Sequence, residues 1–406
     1  NMSQSSSDNR FIIIGGGIAG VSAAEAIRKS RPEAEITLIS EEPNLPYMRM
    51  SLTRYLAGEV SRERLFLHDE QWYLENHITL LLETRALAID APAKEITLAD
   101  GAKLAYDKLI LASGANPRVP PFPGKDLKGV QTLRTLEDAD LILEIARKKA
   151  RVVCIGGGLL GLEAAGAVAR QGADVTVLEG LDWLLPRQLD ARASAILKEK
   201  IEALGIKVIV PAMTKALLGS EKVENVALAD GRVLPADMVL VSTGVASNLE
   251  LAQSAGLKVN RGVLVDEHMI TSDPDILAAG DITEFQGRCY GLWAPARSQG
   301  TVAGQNAVGI PSSFQDDPPS TKLKALGVDL LSIGQFSPNV PEETLIAESK
   351  DGEYRSFLFR EGKMVGSILL GDASLSAKVK AAIESKKDFT AILTEETEVQ
   401  SILRAL

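Results

Sequence analysis

The chain has 406 residues, of which 45% are hydrophobic and 24% charged, and its formal net charge is −10. This composition is that of a globular protein and excludes a disordered or collagen-like chain. The acidic balance disfavours nucleic acid as a partner, because a negatively charged surface repels a phosphate backbone. The uncharged stretches are too short to span a bilayer, so we predict no membrane span and a cytoplasmic location.

Cysteine and histidine are scarce in this chain. The two cysteines, Cys154 and Cys289, are widely separated, and no CxxC or CxxxxC pair is present. With three histidines, the chain lacks a spaced set of zinc or iron-sulfur ligands. We therefore predict no protein-held metal, and any redox chemistry requires an organic cofactor.

The first predicted elements form a βαβ unit: an apolar strand at 11–14, a glycine turn, a helix rich in small residues and a strand at 35–40. The segment FIIIGGGIAGVSAAE at 11–25 recurs as VVCIGGGLLGLE at 152–163, and a strand at 174–178 follows it. This internal repeat predicts two copies of one α/β module.

Each copy also contains a predicted small antiparallel sheet. The segment ADGAKLAYDKLILASGA at 99–115 is matched in order by ADGRVLPADMVLVSTGV at 229–245. In both, an Asp-Gly pair lies between extended segments, which is typical of a hairpin turn that needs positive φ.

Proline-rich segments at 116–124 and 309–320 indicate boundaries between units. The predicted fold class is α/β, with two Rossmann-like dinucleotide-binding domains and a small C-terminal α+β domain. The predicted domains are residues 1–118 with 248–320, residues 119–247 and residues 321–406. Within the third, the predicted elements are strands at Leu330–Gly334, Tyr354–Phe359 and Met364–Leu370 and a helix near Ser376–Ser385.

Each module contains a GxGxxG motif after its first strand, formed by Gly15, Gly17 and Gly20 and by Gly156, Gly158 and Gly161. The first glycine permits a tight turn, the second lets backbone approach a pyrophosphate, and the third lets helix pack on strand. The helix N-terminus then favours the anion through its free backbone donors and its dipole.

An acid follows the second strand of each module and can bind ribose hydroxyls. Glu41 or Glu42 has this position in the first module, and Glu179 has it in the second. Because a carboxylate at 179 would repel a 2′-phosphate, we predict NADH rather than NADPH. Two dinucleotides are therefore expected.

The segment TSDPDILAAGD at 271–281 ends in a Gly-Asp turn whose carboxylate can accept a hydrogen bond from a polyol. With this segment the sequence resembles the FAD-dependent pyridine nucleotide-disulfide oxidoreductase superfamily over essentially its whole length. The matching segments are GGGIAG at 15–20, LASGANP at 111–117, GGGLLGLE at 156–163, VSTGVASN at 241–248 and ILAAGD at 276–281. The resemblance implies FAD in the first module, with Asp281 on its ribityl chain, and NADH in the second.

The segment LPYMRMSLTRYLAG at 45–58 has no cysteine, where disulfide-type members keep theirs, so a thiol relay is excluded. It resembles a segment of ferredoxin-type and rubredoxin-type reductases and of apoptosis-inducing factor. This resemblance implies that Arg49 pairs with the FAD pyrophosphate and that Arg54 lies near the isoalloxazine, where it is a candidate catalytic residue.

Further site residues are implied by the same resemblance. Glu163 is the candidate catalytic carboxylate near the flavin-nicotinamide stack, and Trp293 belongs to a helix beside the flavin. The remaining implied cofactor contacts are Ala19, Ser113, Gly114 and Gly244. The segment STKLKALGVDLLSIG at 320–334 resembles the linker into the C-terminal domain of NADH:rubredoxin reductases and assimilatory nitrite reductases.

These expectations predict an enzyme that passes electrons from NADH through FAD to an external acceptor, with rubredoxin or another small iron-sulfur carrier favoured. Its docking would need a local basic patch, for which the candidates are Arg49, Arg54, Lys322 and Lys324. Two alternatives stay open: an NADH oxidase or diaphorase acting on O2, quinones or ferric complexes, and a redox-sensing interaction module resembling apoptosis-inducing factor. Both a monomer and a homodimer are compatible with the sequence.

Overall fold

A computed structural model describes residues 9–316 and 320–406 of the chain. The first module opens with an apolar strand whose last four residues are buried, as expected where helices cover both faces of a parallel sheet. Its elements are β1 (Arg10–Ile14), α1 (Ile18–Ser30), β2 (Glu35–Ile39), α2 (Leu52–Leu56), α3 (Glu70–Glu75), β3 (Ile78–Leu81), β4 (Ala86–Asp90), β5 (Glu95–Leu98), β6 (Lys103–Ala105), β7 (Lys108–Leu111) and β8 (Ala115–Pro117), with 3₁₀ turns at Arg49–Ser51 and Arg62–Leu65.

The second module repeats this plan. Its elements are β9 (Val130–Gln131), α4 (Leu136–Ala146), β10 (Arg151–Ile155), α5 (Leu159–Arg170), β11 (Asp174–Leu178), α6 (Ala191–Glu202), β12 (Lys207–Ile209), β13 (Thr214–Leu218), β14 (Asn225–Leu228), β15 (Val233–Pro235) and β16 (Met238–Val241). A parallel sheet has the order β12-β11-β10-β16-β9, and β13-β14-β15 form an antiparallel meander. In the first module β4-β5-β6 form the corresponding meander, with the predicted turn at Asp100–Gly101.

The chain then returns to the first sheet. The elements that follow are β17 (Val245–Ser247), α7 (Glu250–Ser254), β18 (Val263–Leu264), β19 (Ile276–Ala278), β20 (Thr283–Glu284) and α8 (Trp293–Ala307). Strand β19 pairs in parallel with β7, so the first sheet has the order β19-β7-β1-β2-β3. The two crossings between modules, β8 and β17, pair with each other in antiparallel fashion.

Helix α8 packs on α1 at unusually close range because two glycines of α8 face the backbone of α1. A Cβ at Gly300 would lie 2.2 Å from the carbonyl oxygen of Ala19, and one at Gly304 would lie 2.6 Å from that of Ala23. Neither distance is compatible with a larger residue. This packing holds the N-terminal turn of α1 beside the loop that follows β19.

The third unit is an antiparallel sheet with two helices. Its elements are β21 (Ser320–Ala325), β22 (Val328–Gly334), β23 (Thr344–Lys350), β24 (Glu353–Arg360), β25 (Lys363–Leu370), α9 (Ser376–Glu384) and α10 (Val399–Ala405), and the sheet order is β21-β22-β25-β24-β23. The predicted strands and helix of this unit are confirmed to within about two residues at each end. Strands β21 and β23 and helix α10 were not predicted.

This sheet buries one face against the second module. Leu330, Tyr354 and Ile368 belong to the same hydrophobic core as Leu162 of α5. The other face packs with α9 and α10 in a separate core. The predicted fold class, two Rossmann-like units and a small C-terminal α+β unit, is thus confirmed. Across the described ranges, no helix combines the length and apolarity needed to cross a membrane.

Candidate cofactor sites

The first glycine turn has the geometry that its motif predicts. Gly15 has φ of +123°, and a Cβ there would lie 2.0 Å from the carbonyl oxygen of Ala112. A Cβ at Gly20 would lie 1.9 Å from the carbonyl oxygen of Gly15, whereas one at Gly17 would meet no described atom within 4 Å. The first and third glycines are therefore required by packing. Gly17 instead leaves open space at the start of α1, where backbone donors point at a bound anion.

The second glycine turn repeats this arrangement. Gly156 has φ of +116° and a Cβ there would lie 2.1 Å from the carbonyl oxygen of Ser242, and one at Gly161 would lie 2.1 Å from that of Gly156. At Gly158 no atom of the described chain lies within 4 Å of a built Cβ. The same test finds open space at Gly244, whose φ is +97°. Both modules thus offer a helix N-terminus with room for a phosphate.

The late Gly-Asp turn lies directly beside the first glycine turn. A Cβ at Gly280 would lie 2.9 Å from the Cβ of Ala19, and the Gly280 N–H donates to Oε1 of the buried Gln299 at 2.9 Å. Burial raises the pKa of the Asp281 carboxyl, while the charges of Arg134 and Arg49 oppose this. The structure therefore brings Asp281, Ala19 and the first turn together.

The acids after β2 have different surroundings. Glu41 has a side chain that is 71% exposed, and its Oε1 lies 3.8 Å from Nε of Arg85. Glu42 instead forms a close ion pair, in which its Oε2 lies 2.5 Å from Nη2 of Arg49. Because Glu42 is held by Arg49, Glu41 is the acid left available to a ribose.

Arg49 lies in a compact polar network. Its Nη1 donates to Oη of Tyr47 at 2.9 Å and also to the backbone carbonyl of Arg134. Tyr47 is 3% exposed, and its hydroxyl donates to Oε1 of Glu42 at 2.5 Å. Arg49, which the resemblance implies as the partner of the pyrophosphate, is thus held in place by its contacts with Tyr47, Arg134 and Glu42.

Arg134 is a candidate that the sequence reasoning missed. A Cβ at Gly114 would lie 3.0 Å from Nη2 of Arg134. Burial lowers the pKa of Arg134, and the nearby charge of Arg49 lowers it further. Arg49 and Arg134 are both half-buried, and two neighbouring guanidiniums attract a doubly charged anion such as a pyrophosphate. The capping-box pattern Thr135–Asp138, which fixes the helix start just after Arg134, was the only available sequence signal.

Two further implied residues present unpaired polar atoms. Ser113 Oγ and Trp293 Nε1 are buried, and each lacks a hydrogen-bond partner among the described residues. The guanidinium of Arg297 lies 5.3 Å from the centroid of the Trp293 ring. Buried polar atoms are normally satisfied, so these two, with the open cradle at Gly17, fit a bound group with its own donors and acceptors. The residues of the first module therefore fit FAD.

Glu163 lies where the two modules meet. It is in the second turn of α5, and its Oε2 accepts a hydrogen bond of 3.4 Å from Oγ1 of Thr53 on α2. Burial raises the pKa of the Glu163 carboxyl, and the Thr53 bond partly opposes this. The Arg54 side chain is 60% exposed, and its Nε lies 3.6 Å from Oε2 of Glu59, whose other oxygen pairs with Arg170 of α5. The structure thus brings Glu163 to the contact between the modules and places the Arg54 guanidinium in an exposed ion-pair network at the edge of that contact.

Glu179 is buried, at 9% exposure, directly after β11. Its Oε2 accepts the N–H of Leu181 at 3.1 Å, which fixes the carboxylate beside the second glycine turn. Large apolar side chains in this module are unusually exposed, namely Leu160, Leu181, Met213 and Val245. A buried acid among uncovered apolar groups fits a dinucleotide that covers them, so the second module fits NADH.

Neither cysteine supports thiol chemistry. Cys154 is 1% exposed within β10, and burial raises the pKa of its thiol to about 12. Cys289 is a free cysteine at the surface, and partial burial of its sulfur raises the pKa of the thiol. Neither thiol therefore has the lowered pKa that is typical of a redox-active cysteine. Among the residues placed by the structure, no group of three or more His, Cys, Asp or Glu side chains could hold a metal ion.

With this geometry established, comparison with known sequences defines the class of protein. Residues 9–300 match the family described as pyridine nucleotide-disulphide oxidoreductase, and residues 319–387 match the rubredoxin NAD+ reductase C-terminal domain. The chain belongs to the pyridine nucleotide-disulphide oxidoreductase family. This membership confirms the predicted superfamily, the enzyme class of FAD-dependent NAD(P)H oxidoreductase and the cofactor pair FAD and NADH.

Individual relatives differ in their acceptors. The assimilatory nitrate reductase electron transfer subunit of Bacillus subtilis (strain 168) is 34% identical over 384 residues, covering 94% of this chain and 50% of the relative. The NADH-rubredoxin oxidoreductase of Clostridium acetobutylicum is 33% identical over 380 residues, covering 94% and 96% of the two chains. The chain therefore spans about half the length of the Bacillus relative and nearly all of the clostridial one.

Solved structures agree with this grouping. The crystal structure of NADH:rubredoxin oxidoreductase from Clostridium acetobutylicum superposes with a TM-score of 0.85 at 32% identity, covering 98% of this chain and 99% of the other. The covalent putidaredoxin reductase-putidaredoxin complex gives a TM-score of 0.84 at 28% identity, with 98% of both chains covered.

Proposed function

We propose that this chain is an NADH-dependent flavoprotein reductase that delivers electrons to a small iron-sulfur carrier protein, with rubredoxin favoured. The observation that carries the proposal is the contact between Glu163 of α5 and Thr53 of α2. This contact joins the helix after the second glycine turn to the first module, and it supports a pair of dinucleotide sites that adjoin each other. Residues 1–118 with 248–320 would hold FAD, residues 119–247 would hold NADH, and residues 321–406 would form the C-terminal domain.

A flavin held by the first module would supply hydride acceptance from a nicotinamide and release of single electrons, which is chemistry of the cofactors themselves. The residues of this chain would supply position and charge. Arg49 and Arg134 would bind the pyrophosphate, Asp281 would accept hydrogen bonds from the ribityl chain, and Glu179 would bind the ribose of NADH. Glu163, at the contact between the modules, would favour one alignment of the two cofactors through its charge.

The choice of carrier rests on several supports. Residues 319–387 match a domain described from rubredoxin reductases, and a clostridial relative of that activity aligns over nearly all of both chains. Neither cysteine of this chain can relay electrons as a thiol. Among the predicted docking residues, Arg54 is exposed and Arg49 is turned into the network with Glu42. The side chains of Lys322 and Lys324 lie outside the described residues.

A second candidate is a direct NADH oxidase. The NADH oxidase of Methanocaldococcus jannaschii is 32% identical over 402 residues, covering 92% of this chain. The absence of cysteine from 45–58 disfavours a thiol-based route to O2 reduction at the flavin. Oxidation of NADH by O2 in the absence of any carrier distinguishes this activity from the first.

The test is stopped-flow mixing of the FAD-loaded protein with NADH under anaerobic conditions. We expect rapid bleaching of the flavin band, followed by reoxidation when oxidised rubredoxin or ferredoxin is added. Fast aerobic NADH consumption without a carrier would favour the oxidase. A persistent charge-transfer band that no carrier discharges would overturn both and favour the redox-sensing module.

A further inference from the structure

The hydroxyl of Tyr47 links Arg49 to the start of α4, just after Arg134, and both of these arginines are half-buried. It accepts hydrogen bonds from Nη1 of Arg49 at 2.9 Å and from the backbone N–H of Leu136 at 3.0 Å, and it donates to Glu42. Leu136 is the first residue of α4, two positions after Arg134. One side-chain oxygen in the first module thus caps a helix of the second.

The start of α4 is otherwise held from within. The Asp138 carboxylate accepts the N–H groups of Arg134 and Thr135, both at 2.9 Å, and the Thr135 hydroxyl accepts the N–H of Asp138 at 3.1 Å. The Leu136 N–H is the donor in this turn that Tyr47 satisfies. Because the first N–H groups of a helix have no partner inside it, a cap from another segment fixes the helix in place.

Arg49 is fixed at the same oxygen. Its guanidinium lies 5.0 Å from the centroid of the Tyr47 ring and also donates to the carbonyl of Arg134. The position of the Arg49 guanidinium and that of the backbone at Arg134–Leu136 therefore both depend on one phenol, which is 3% exposed. Two like charges at close range repel each other. An anion therefore binds tightly between the two guanidiniums only if the protein holds both of them in place.

We propose that Tyr47 is a positioning residue, whose hydroxyl holds Arg49 and the Arg134 end of α4 together so that both guanidiniums meet the pyrophosphate of the dinucleotide bound at Gly15–Gly20. This inference rests on the proposed assignment of FAD to the first module. Tyr47 acts through Arg49 and α4.

The experiment measures the Kd of FAD for the apoprotein by fluorescence titration of Tyr47→Phe, Arg49→Gln and the double variant. We expect Tyr47→Phe to weaken FAD binding about 10-fold, which corresponds to about 1.4 kcal/mol. The double variant should bind more weakly than Arg49→Gln, but by less than the product of the two single losses, because the part of the hydroxyl's effect that passes through Arg49 is already lost. A purely structural role would give additive losses.

Tyr55→Phe is the matched control. Tyr55 donates to Oδ1 of Asp140 on the same helix α4 at 2.6 Å, and none of its hydrogen bonds in the described chain reaches Arg49. We expect its Kd for FAD to stay within about twofold of that of the unmodified chain. Equal weakening by Tyr55→Phe and Tyr47→Phe, additive losses in the double variant, or an unchanged Kd in Tyr47→Phe would each overturn the proposal.

Arg49→Lys gives a measurement that does not depend on Tyr47→Phe folding. A lysine keeps the charge, but its single nitrogen replaces the two guanidinium nitrogens that contact Tyr47, the Arg134 carbonyl and Glu42. We expect about 10-fold weaker FAD binding, and unchanged affinity would contradict the need for a held guanidinium. If the unmodified apoprotein binds no FAD, the proposed function fails; if it binds FAD and Tyr47→Phe binds it equally well, only the role of Tyr47 fails.

Discussion

The two βαβ modules have nearly the same turn geometry but different surroundings. Gly15 and Gly156 have φ of +123° and +116°, and each faces a backbone carbonyl at close range. Equivalent ion pairs also hold the starts of β1 and β10. In both Arg10–Asp107 and Arg151–Asp237, the distance from Nη2 to Oδ1 is 2.9 Å. The repeated sequence thus reproduces its local contacts.

The helices after these turns are covered differently. In the first module α8 lies over α1 and buries Ala19, which is 5% exposed. In the second, α5 packs on α2 and α4, and a Cβ at Gly166 would lie 1.7 Å from Cδ2 of Leu326. Leu160, which corresponds to Ala19 in the repeat, is 59% exposed. The first turn of α1 is therefore covered by α8, whereas the corresponding position of α5 is exposed.

The same position of the repeat also differs in chemistry. Ser22 corresponds to Glu163, yet Ser22 is buried under the first module's own elements while Glu163 meets Thr53 of α2. A glycine turn with open space at its second glycine therefore occurs in both modules. The elements packed outside it differ, and they determine which side chain reaches the contact between the modules.

The largest expected effect is at the glycines that face carbonyl oxygens. Gly15→Ala and Gly156→Ala should each lower the free energy of unfolding by about 3 kcal/mol or more, because a Cβ meets a backbone oxygen at a φ that favours glycine. Gly15→Ala should also lose FAD, whereas Gly156→Ala should keep FAD and lose reduction by NADH. Thermal unfolding and the flavin absorbance measure this, and Gly17→Ala, with open space, is the folding control. If Gly15→Ala and Gly156→Ala both unfolded at the temperature of the unmodified chain, a steric requirement for glycine at the two turns would be refuted.

Glu163→Gln should slow flavin reduction by NADH about 10-fold in anaerobic stopped flow, equal to about 1.4 kcal/mol of barrier. We expect the ionised form to act. Since burial raises the pKa of Glu163, the unmodified rate should increase with pH above the ordinary glutamate range, and the variant should be flat there. Ser22→Ala, at the corresponding position, should leave the rate unchanged. Equal pH profiles for Glu163→Gln and the unmodified chain would count against this role.

Glu179→Gln should lower the ratio of kcat/KM for NADH to that for NADPH about 10-fold, because the repulsion of a 2′-phosphate is lost. Glu41→Gln tests the corresponding acid of the first module. That side chain is 71% exposed, so we expect about threefold weaker FAD binding and no change in nucleotide preference. Steady-state kinetics and FAD titration measure the two effects. An unchanged ratio in Glu179→Gln would refute the prediction.

Tyr354→Phe should lower the free energy of unfolding by about 1 kcal/mol. The Tyr354 hydroxyl donates to Oδ2 of Asp190 at 2.6 Å, and this bond ties the C-terminal sheet to the cap of α6 in the second module. Tyr73→Phe is the control, because the buried Tyr73 hydroxyl has no hydrogen-bond partner in the described part of the chain. In denaturant unfolding, Tyr73→Phe should lose less free energy of unfolding than Tyr354→Phe. A larger loss in Tyr73→Phe would contradict a stabilising hydrogen bond between Tyr354 and Asp190.

The smallest expected effect concerns the two aspartates that pair with arginines at the starts of β10 and β1. Arg151 lowers the pKa of Asp237 to about 2, and Arg10 lowers the pKa of Asp107 below its usual range. A lowered pKa adds stability above the unfolded value, and this stability is lost as pH falls from about 4 towards 2. Asp237→Asn should therefore lower Tm by about 2 °C or less at pH 7, and the difference should narrow at lower pH. A Tm difference between the variant and the unmodified chain that grew as the pH fell would contradict the predicted direction of this pH dependence.

Much of the fold followed from the chain alone because local rules act over a few residues. Gly15 and Gly156 must bend the backbone, Asp100–Gly101 must turn a hairpin, and the buried strands need continuous apolar runs. These patterns predicted both modules, two dinucleotide sites and most of the third unit, while the family resemblance implied which dinucleotide each module binds. Strand β23 escaped prediction because its segment, TLIAESK, alternates weakly and depends on pairing with β24.

The site required the tertiary structure wherever distant segments meet. The sequence allowed Glu41 or Glu42 as the ribose acid, and only the ion pair with Arg49 separates them. Arg134 has no motif of its own and becomes a site residue because α4 begins beside Arg49. The sequence thus determined the two phosphate turns, which depend on glycine sterics. Tertiary packing decided which charges surround them, because charge-charge contacts join residues far apart in the chain.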